Sequence, residues 1–416
     1  MRPLVASALL PIVLGLGACG DDGLDPETLY PWVYTPEEGL EDYQKIRWET
    51  ETWDATSPLE AGLYLKKWLL HRPGAPRESL EHFEAMRTQI PPLGQGTVLS
   101  FVGDIMWIGA DWSGFAAPVA TTLAADLRIG NLETPTSSKN PYGKEGIPTR
   151  YNASPEMLDG IPFDLLQLNN NHSLDLDDAG LEATVAAVKA RGIRTAGVDA
   201  QALIDVGGSS IAFLAYTWGL NRRDLKSKHE LFVVPFGHVG QPIDLARIEA
   251  DITDARLRNA KHVVVLVHWG FEYEYYPDPH FLQLARKIIA LGADVIVGTG
   301  PHVVQPAELC YVNHADRLPG VGACSVRSAD GIARRAAVLY SLGDFSSEAG
   351  RIELGAGIAV KVSLDADGVS GAGWTPVLMR HKPESVHPLV QHLDESTVAG
   401  ELERLRKHLG QSWQLP

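Results

Sequence analysis

The 416 residues are 45% hydrophobic and 21% charged, with a formal net charge of −16. That composition belongs to a globular chain rather than a disordered or fibrous one, and the length suits one large domain with additions or two domains. The acidic surplus argues against a nucleic-acid partner, which needs clustered Lys and Arg, and against loose electrostatic adhesion to anionic lipid.

The first element is an apolar run. "MRPLVASALLPIVLGLGAC" carries one cation, Arg2, and then stays apolar to Leu16. The run is shorter than the roughly 20 apolar residues of a membrane span and reads as a secretory signal. Its end, "LGAC" at 16–19, resembles the lipobox of bacterial lipoproteins. On that reading residues 1–18 are the lipoprotein signal peptide, and Cys19 is lipidated and becomes the mature N-terminus. The alternative is a plain signal peptide cleaved near Ala18. Acyl chains would hold the exported protein on the bacterial cell envelope, and Gly20 points by the same resemblance to the outer membrane. Of three cysteines, Cys310 and Cys324 then remain. Export would place them in an oxidising compartment, where they can form a disulfide or stay as buried thiols. A bridge would close a loop of about 15 residues, about 3 kcal/mol in the chain-entropy argument.

Residues 19–95 read as a mainly helical extension. Ser57, Pro58 and Glu60 form a helix-start signal, and Trp32, Trp48, Trp53 and Trp68 lie in this stretch. They serve either as a sugar platform or, the better reading, as packing residues. "PPLGQG" at 91–96 is the junction. Over 96–380 strands alternate with helices: "TVLSFVGD", "ADLRIGNLET", "FDLLQLNNNH", the helix "DDAGLEATVAAVKARGI", "SSIAFLAYT", the helix "PIDLARIEADITDARLRNA", "KHVVVLVHWG", the helix "PHFLQLARKIIALGA", "DVIVGTGPH" and "AAVLYSLGDF". Near-continuous apolar strands between amphipathic helices imply an α/β layered fold. "VSLDADGVSG" predicts a hairpin turning at Asp367-Gly368, and 381–416 a C-terminal helical tail.

The polar residues fall at strand ends. Successive strands stop at Asp104, at Asn131 and Glu133, at Asn170, Asn171 and His172, at His268 followed by Glu272, at His302, and at Asp344. In an open α/β sheet ligands bind outside the carboxyl ends of the strands. Carboxylates, amide oxygens and imidazoles together suit Mn, Fe, Zn or Mg. Each residue alone also has a bland reading: an aspartate after "VG" is a turn residue, "HWG" a buried histidine, and Asp175 a turn residue before a helix. No Gly-rich phosphate loop or GxSxG elbow is present, so a serine-nucleophile mechanism has no support.

The order "GD" (103–104), "NLET" (131–134), "NNHSLD" (170–175), "HWGFEY" (268–273), "PHVVQPAE" (301–308) and "YSLGDF" (340–345) resembles the CapA family of capsule-synthesis proteins, associated with poly-γ-glutamate and part of the calcineurin-like metallophosphoesterase superfamily. The resemblance implies a four-layer α/β/β/α sandwich of two mixed sheets. It implies Asp104, Glu133, Asn171, His268 and His302 as ligands of one or two divalent ions, and His172 as proton donor or phosphate contact. Two positions depart from the family pattern. Gly300 stands where a histidine is usual, and Asp344 replaces an asparagine. Five ligands hold one ion well and two poorly; Glu272, Asp344 or Asp175 would have to compensate. Three functions follow as expectations: an envelope accessory factor for synthesis or export of an extracellular anionic polymer, a metal-dependent hydrolase of phosphoester or amide bonds, or a metal-free binding scaffold. A polyanion would need a cation or a basic patch to approach this acidic chain; Arg150 and the cations of "NRRDLKSKH" (221–229) are available.

Overall fold

The computed structural model describes Ala75 and residues from Arg77 onward, apart from 107–113, 147–148, 223–224, 235–243, 319, 348–351, 382–383, 389–395 and 416. The signal segment, Cys19 and the four tryptophans between 32 and 68 lie outside the described residues.

In chain order the first elements are α1 (Arg77–Met86), β1 (Thr97–Ile105), β2 (Leu127–Leu132), β3 (Gly143–Glu145), β4 (Arg150–Asn152), β5 (Leu165–Gln167), α2 (Asp177–Ala190), β6 (Arg194–Ala196), β7 (Ala202–Val206) and β8 (Ser209–Thr217). Next come α3 (Ala246–Leu257), β9 (His262–His268), α4 (Pro279–Leu291), β10 (Val295–Thr299), β11 (Ala307–Val312), β12 (Cys324–Val326) and β13 (Arg334–Leu339). The last are β14 (Asp344–Ser346), α5 (Ile352–Gly355), β15 (Ala356–Asp365), β16 (Gly368–His381), β17 (Glu384–Pro388) and α6 (Ser396–Leu409).

The strands run β6-β5-β2-β1-β15-β16 in one sheet and β13-β10-β9-β8-β7 in the other. One residue pair, Arg335 with Gly368, joins the two. Side-chain alternation explains the layering. Phe101, Ile129 and Leu165 of the first sheet share an inner core with Phe213, Val264, Leu266 and Val297 of the second. The next residue along each strand faces outward: Val102 and Leu166 pack on Leu181 and Val188 of α2, and Val265 and Val267 pack with Ile252 of α3 and Leu282 and Ile288 of α4. The result is the α/β/β/α sandwich, with mixed pairing because β1 runs parallel to β2 but antiparallel to β15.

Local sequence sets the helix ends. Asp278 caps α4, accepting the His280 amide at 2.7 Å with Pro279 at the first position. Gly192 follows α2 with φ 74°, a conformation that suits glycine.

Packing begins earlier and ends later than the junctions near 95 and 380 suggest. His82, Phe83 and Met86 of α1 are buried, and Val398, Leu402, Leu405 and Leu409 of α6 join the inner core with Trp374 and Trp413. The "AAVLYSLGDF" stretch is likewise not one strand. β13 stops at Leu339, the chain turns through Gly343 (φ 68°), and Asp344 opens β14, which lies against the end of β1. The turn is needed because β14 must leave the second sheet to reach the first. Cys310 and Cys324 form a disulfide between β11 and β12, their Cα atoms 4.5 Å apart.

Candidate functional site

Parallel pairing brings the polar strand ends to one place. Asp104 is paired in register with Asn131 of β2 and Asp344 of β14. In the other sheet His268 is level with Thr217 and Thr299. The two sets meet across the sandwich: His268 Nδ1 is 3.9 Å and His302 Nδ1 3.5 Å from the Asp104 carboxylate. Asp104, Glu133, Asn170, Asn171, His172, His268, His302 and Asp344 are all buried.

Glu133 sits among the imidazoles. Its Oε1 lies 3.9 Å from His172 Nε2, 3.8 Å from His268 Nε2 and 3.9 Å from His302 Nε2. Each ring turns Nε2 inward because its Nδ1 is held from behind. Asp175 binds His172 Nδ1 at 2.7 Å, Thr299 Oγ1 binds His268 Nδ1 at 3.0 Å, and Asp344 binds His302 Nδ1 at 2.9 Å. Among the described residues, neither oxygen of Glu133 and not the Asn171 Oδ1 has a hydrogen-bond partner, although all three are buried. A buried carboxylate left this way costs free energy. Ligand atoms of Asp104, Glu133 and His302 lie within 4.8 Å of one another, a spacing that fits a cation. Carboxylate, amide oxygen and imidazole are the donors that Mn, Fe, Zn or Mg take. The residues present therefore fit a divalent ion.

Asn131 and Asn170 are struts. Asn131 Nδ2 donates to Asp104 Oδ1 at 2.7 Å, and Asn170 Nδ2 donates to Asn131 Oδ1 at 3.1 Å and to the Leu132 carbonyl at 2.9 Å. Glu272 is buried at the same place, and its charge acts on Glu133. Asp175 is more than a turn residue, since its Oδ2 also accepts the Tyr151 amide at 2.7 Å.

Charge follows from this crowding. Burial, then the Asp104 charge, pushes Glu133 well above the usual carboxylate range. Burial raises Asp344 to about 6. Burial would raise Asp104 too, but the His302 hydrogen bond and the His268 and His302 charges bring it below its ordinary value. His268 is pushed down to about 3 by burial. Burial also works against a charge on His302, yet Asp344 and Glu133 raise it well above a free imidazole.

Gly300 has a structural reason. Its φ is +109°, and a Cβ there would sit 2.8 Å from the Trp269 carbonyl and 3.3 Å from the His268 ring. Its amide donates to Asp104 Oδ2 at 3.0 Å. Asp104 Oδ2 therefore has a backbone donor at the position where the family pattern has a histidine. Sequence reasoning missed Thr299, Asn221 and Tyr151. Asn221 accepts from Asn171 Nδ2 at 3.3 Å through its Oδ1 and brings its Nδ2 to 3.4 Å from His172 Nδ1. Arg150, in contrast, is half-exposed and 3.9 Å from Glu145.

Residues 98–349 match the model of the family described as bacterial capsule synthesis protein PGA_cap. A relative, PGA biosynthesis protein CapA of Bacillus subtilis (strain 168), is 31% identical over 231 residues, 50% of this chain and 58% of that protein. Capsule biosynthesis protein CapA of Bacillus anthracis is 25% identical over 292 residues, 67% of this chain and 64% of that one. The matches thus span 58% and 64% of the length of these two relatives. A 5′-nucleotidase precursor from Thermus thermophilus superposes with a TM-score of 0.37 at 13% identity, covering 74% of this chain and 60% of that one, and carries no functional argument. The family match takes in every strand-end residue from Asp104 to Asp344 and more than half of the 416 residues, so the chain belongs to the bacterial capsule synthesis protein family PGA_cap.

Proposed function

We propose that this protein is a lipid-anchored envelope factor that assists synthesis or export of an extracellular anionic polymer of the poly-γ-glutamate kind, and that its strand-end cluster holds a divalent cation. The names of the Bacillus relatives support the polymer role. The "LGAC" stretch supports the anchor and, with Gly20, an outer-membrane destination. The observation that carries the cation is Glu133: a buried carboxylate whose two oxygens have no hydrogen-bond partner among the described residues, ringed by three imidazole nitrogens.

Glu133, Asn171, His268, His302 and Asp104 would hold the ion. When bound, a Mn, Fe, Zn or Mg ion would polarise a phosphoryl or acyl oxygen, or a carboxylate of the polymer. Ligand atoms must be deprotonated to take a cation, so metal binding here should weaken as the pH falls. His172 keeps Nε2 toward the cluster while Asp175 fixes the other nitrogen. That geometry favours a second reading, a hydrolase in which His172 gives a proton to the leaving oxygen.

Metal analysis of the purified protein tests the first reading. One or more equivalents of a divalent metal are expected, lost in His268→Ala. Metal-free wild-type protein would instead support a binding scaffold. Turnover of a generic phosphodiester that disappears in His172→Ala selects the hydrolase; metal without turnover leaves the accessory role.

A further inference from the structure

The hairpin β3–β4 stands apart from both large sheets as a two-stranded sheet of its own. Its base is stapled by Asn152, whose Oδ1 accepts the Ser137 amide at 2.8 Å and whose Nδ2 donates to the carbonyls of Ser137, Asn140 and Pro141 at 2.9–3.0 Å. One residue earlier, Tyr151 reaches the site. Its backbone N–H and His172 Nδ1 share a single oxygen, Asp175 Oδ2, each at 2.7 Å. Its ring meets His172 edge to face, centroids 4.6 Å apart. Among the described residues no side chain or carbonyl hydrogen-bonds the phenol hydroxyl of this half-buried ring. Burial, then the Glu133 charge, raises the phenol well above its ordinary pKa, with Glu272 and Asp175 adding to this. The hydroxyl therefore stays a neutral donor at any working pH. In an acidic pocket this matters. A lysine or arginine would pair with the carboxylates, whereas a phenol keeps its proton free for an incoming oxygen.

We propose that Tyr151 contacts the ligand: its hydroxyl donates a hydrogen bond to an anionic oxygen, phosphoryl or carboxylate, bound at the strand-end cluster, while its ring fixes the orientation of His172. The inference rests on the reading of that cluster as a binding site. It assigns the β3–β4 hairpin to ligand recognition rather than to packing alone.

The test uses the full chain loaded with Mn and two probes in calorimetry, inorganic phosphate and a γ-linked glutamate oligomer. The probe that binds names the oxygen as phosphoryl or carboxylate. Tyr151→Phe keeps ring and backbone. It should keep the metal content and the melting temperature but bind that probe about tenfold more weakly, the loss expected for one hydrogen bond to a charged oxygen. Equal affinity in Tyr151→Phe overturns the hydroxyl contact and leaves the site reading standing. Wild-type protein that binds neither probe overturns the site reading and this inference with it. The His172 ring proton resonances report the second half of the proposal. The nuclear Overhauser contacts from the His172 ring protons to Asn221, which ring currents do not create, should weaken in Tyr151→Leu and return in Tyr151→Phe; unchanged contacts in Tyr151→Leu overturn the orienting role.

Discussion

Two glutamates, Glu133 and Glu308, are equally buried, each beside histidine, and their surroundings are opposite. Glu308 is saturated. Arg286 donates to both its oxygens at 2.7 and 2.8 Å, the Tyr340 hydroxyl donates at 2.7 Å, and His82 of α1 bonds the same carboxylate. Burial alone would raise its pKa, but Arg286 and His82 hold it far below the carboxylate range. Among the described residues Glu133 has no donor on either oxygen, and it is pushed up. A buried acid whose lone pairs are all used ties elements together. One whose lone pairs are open is poised for something that comes from outside.

The largest test of this contrast is mutation of each acid. Glu308→Ala leaves the Arg286 guanidinium buried without its carboxylate and should cost about 3–5 kcal/mol in denaturant unfolding. Glu133→Gln should leave the metal-free protein no less stable than wild type. A comparable loss at both positions would break the comparison. Reduction of the Cys310–Cys324 bridge, which spans 14 positions, should cost about 3 kcal/mol. His82 Nδ1 takes the amide of Gly322 from inside that loop at 2.8 Å. Hydrogen exchange should therefore show α1 opening on reduction while metal content stays constant. Added divalent metal at 100 times its Kd should stabilise wild type by about 2.7 kcal/mol and leave Glu133→Gln unmoved. The smallest effect is in pH. Glu308 has a native pKa below its unfolded value, so its stabilisation is fully present above the unfolded range and is lost as pH falls toward the native value. The stability gap between wild type and Glu308→Gln should be flat at neutral pH and should close below about pH 4.3, by at most about 1.4 kcal/mol per pH unit.

The sequence made the strand-end residues of the site legible because apolar runs ending in Asp, Glu, Asn or His announce themselves without long-range information. β9 carries His268 to the edge as its own last residue, and His302 follows β10 after a turn through Gly300. Other parts depend on pairings far apart in the chain. β11 and β12 are short, and what makes them strands is each other, the Cys310–Cys324 bond and β13. Helix α1 is spelled "RESLEHFEAM", polar enough to pass for a surface segment, and its role appears only when His82 meets Glu308 across 226 positions. Tyr151 and Asn221 were invisible for the same reason. Each touches His172 from its own loop or hairpin, and neither stands at the end of an apolar strand.

The left-handed backbone at Gly300 has one further consequence. Restoring the family's imidazole there is not a one-letter change, because the new side chain would collide with the Trp269 carbonyl and a residue with φ near +109° would be strained. Trp269 is itself anchored, its indole N–H donating to the Tyr340 carbonyl at 3.0 Å. A second imidazole at this corner would need the loop after β9 and the loop after β10 rebuilt together.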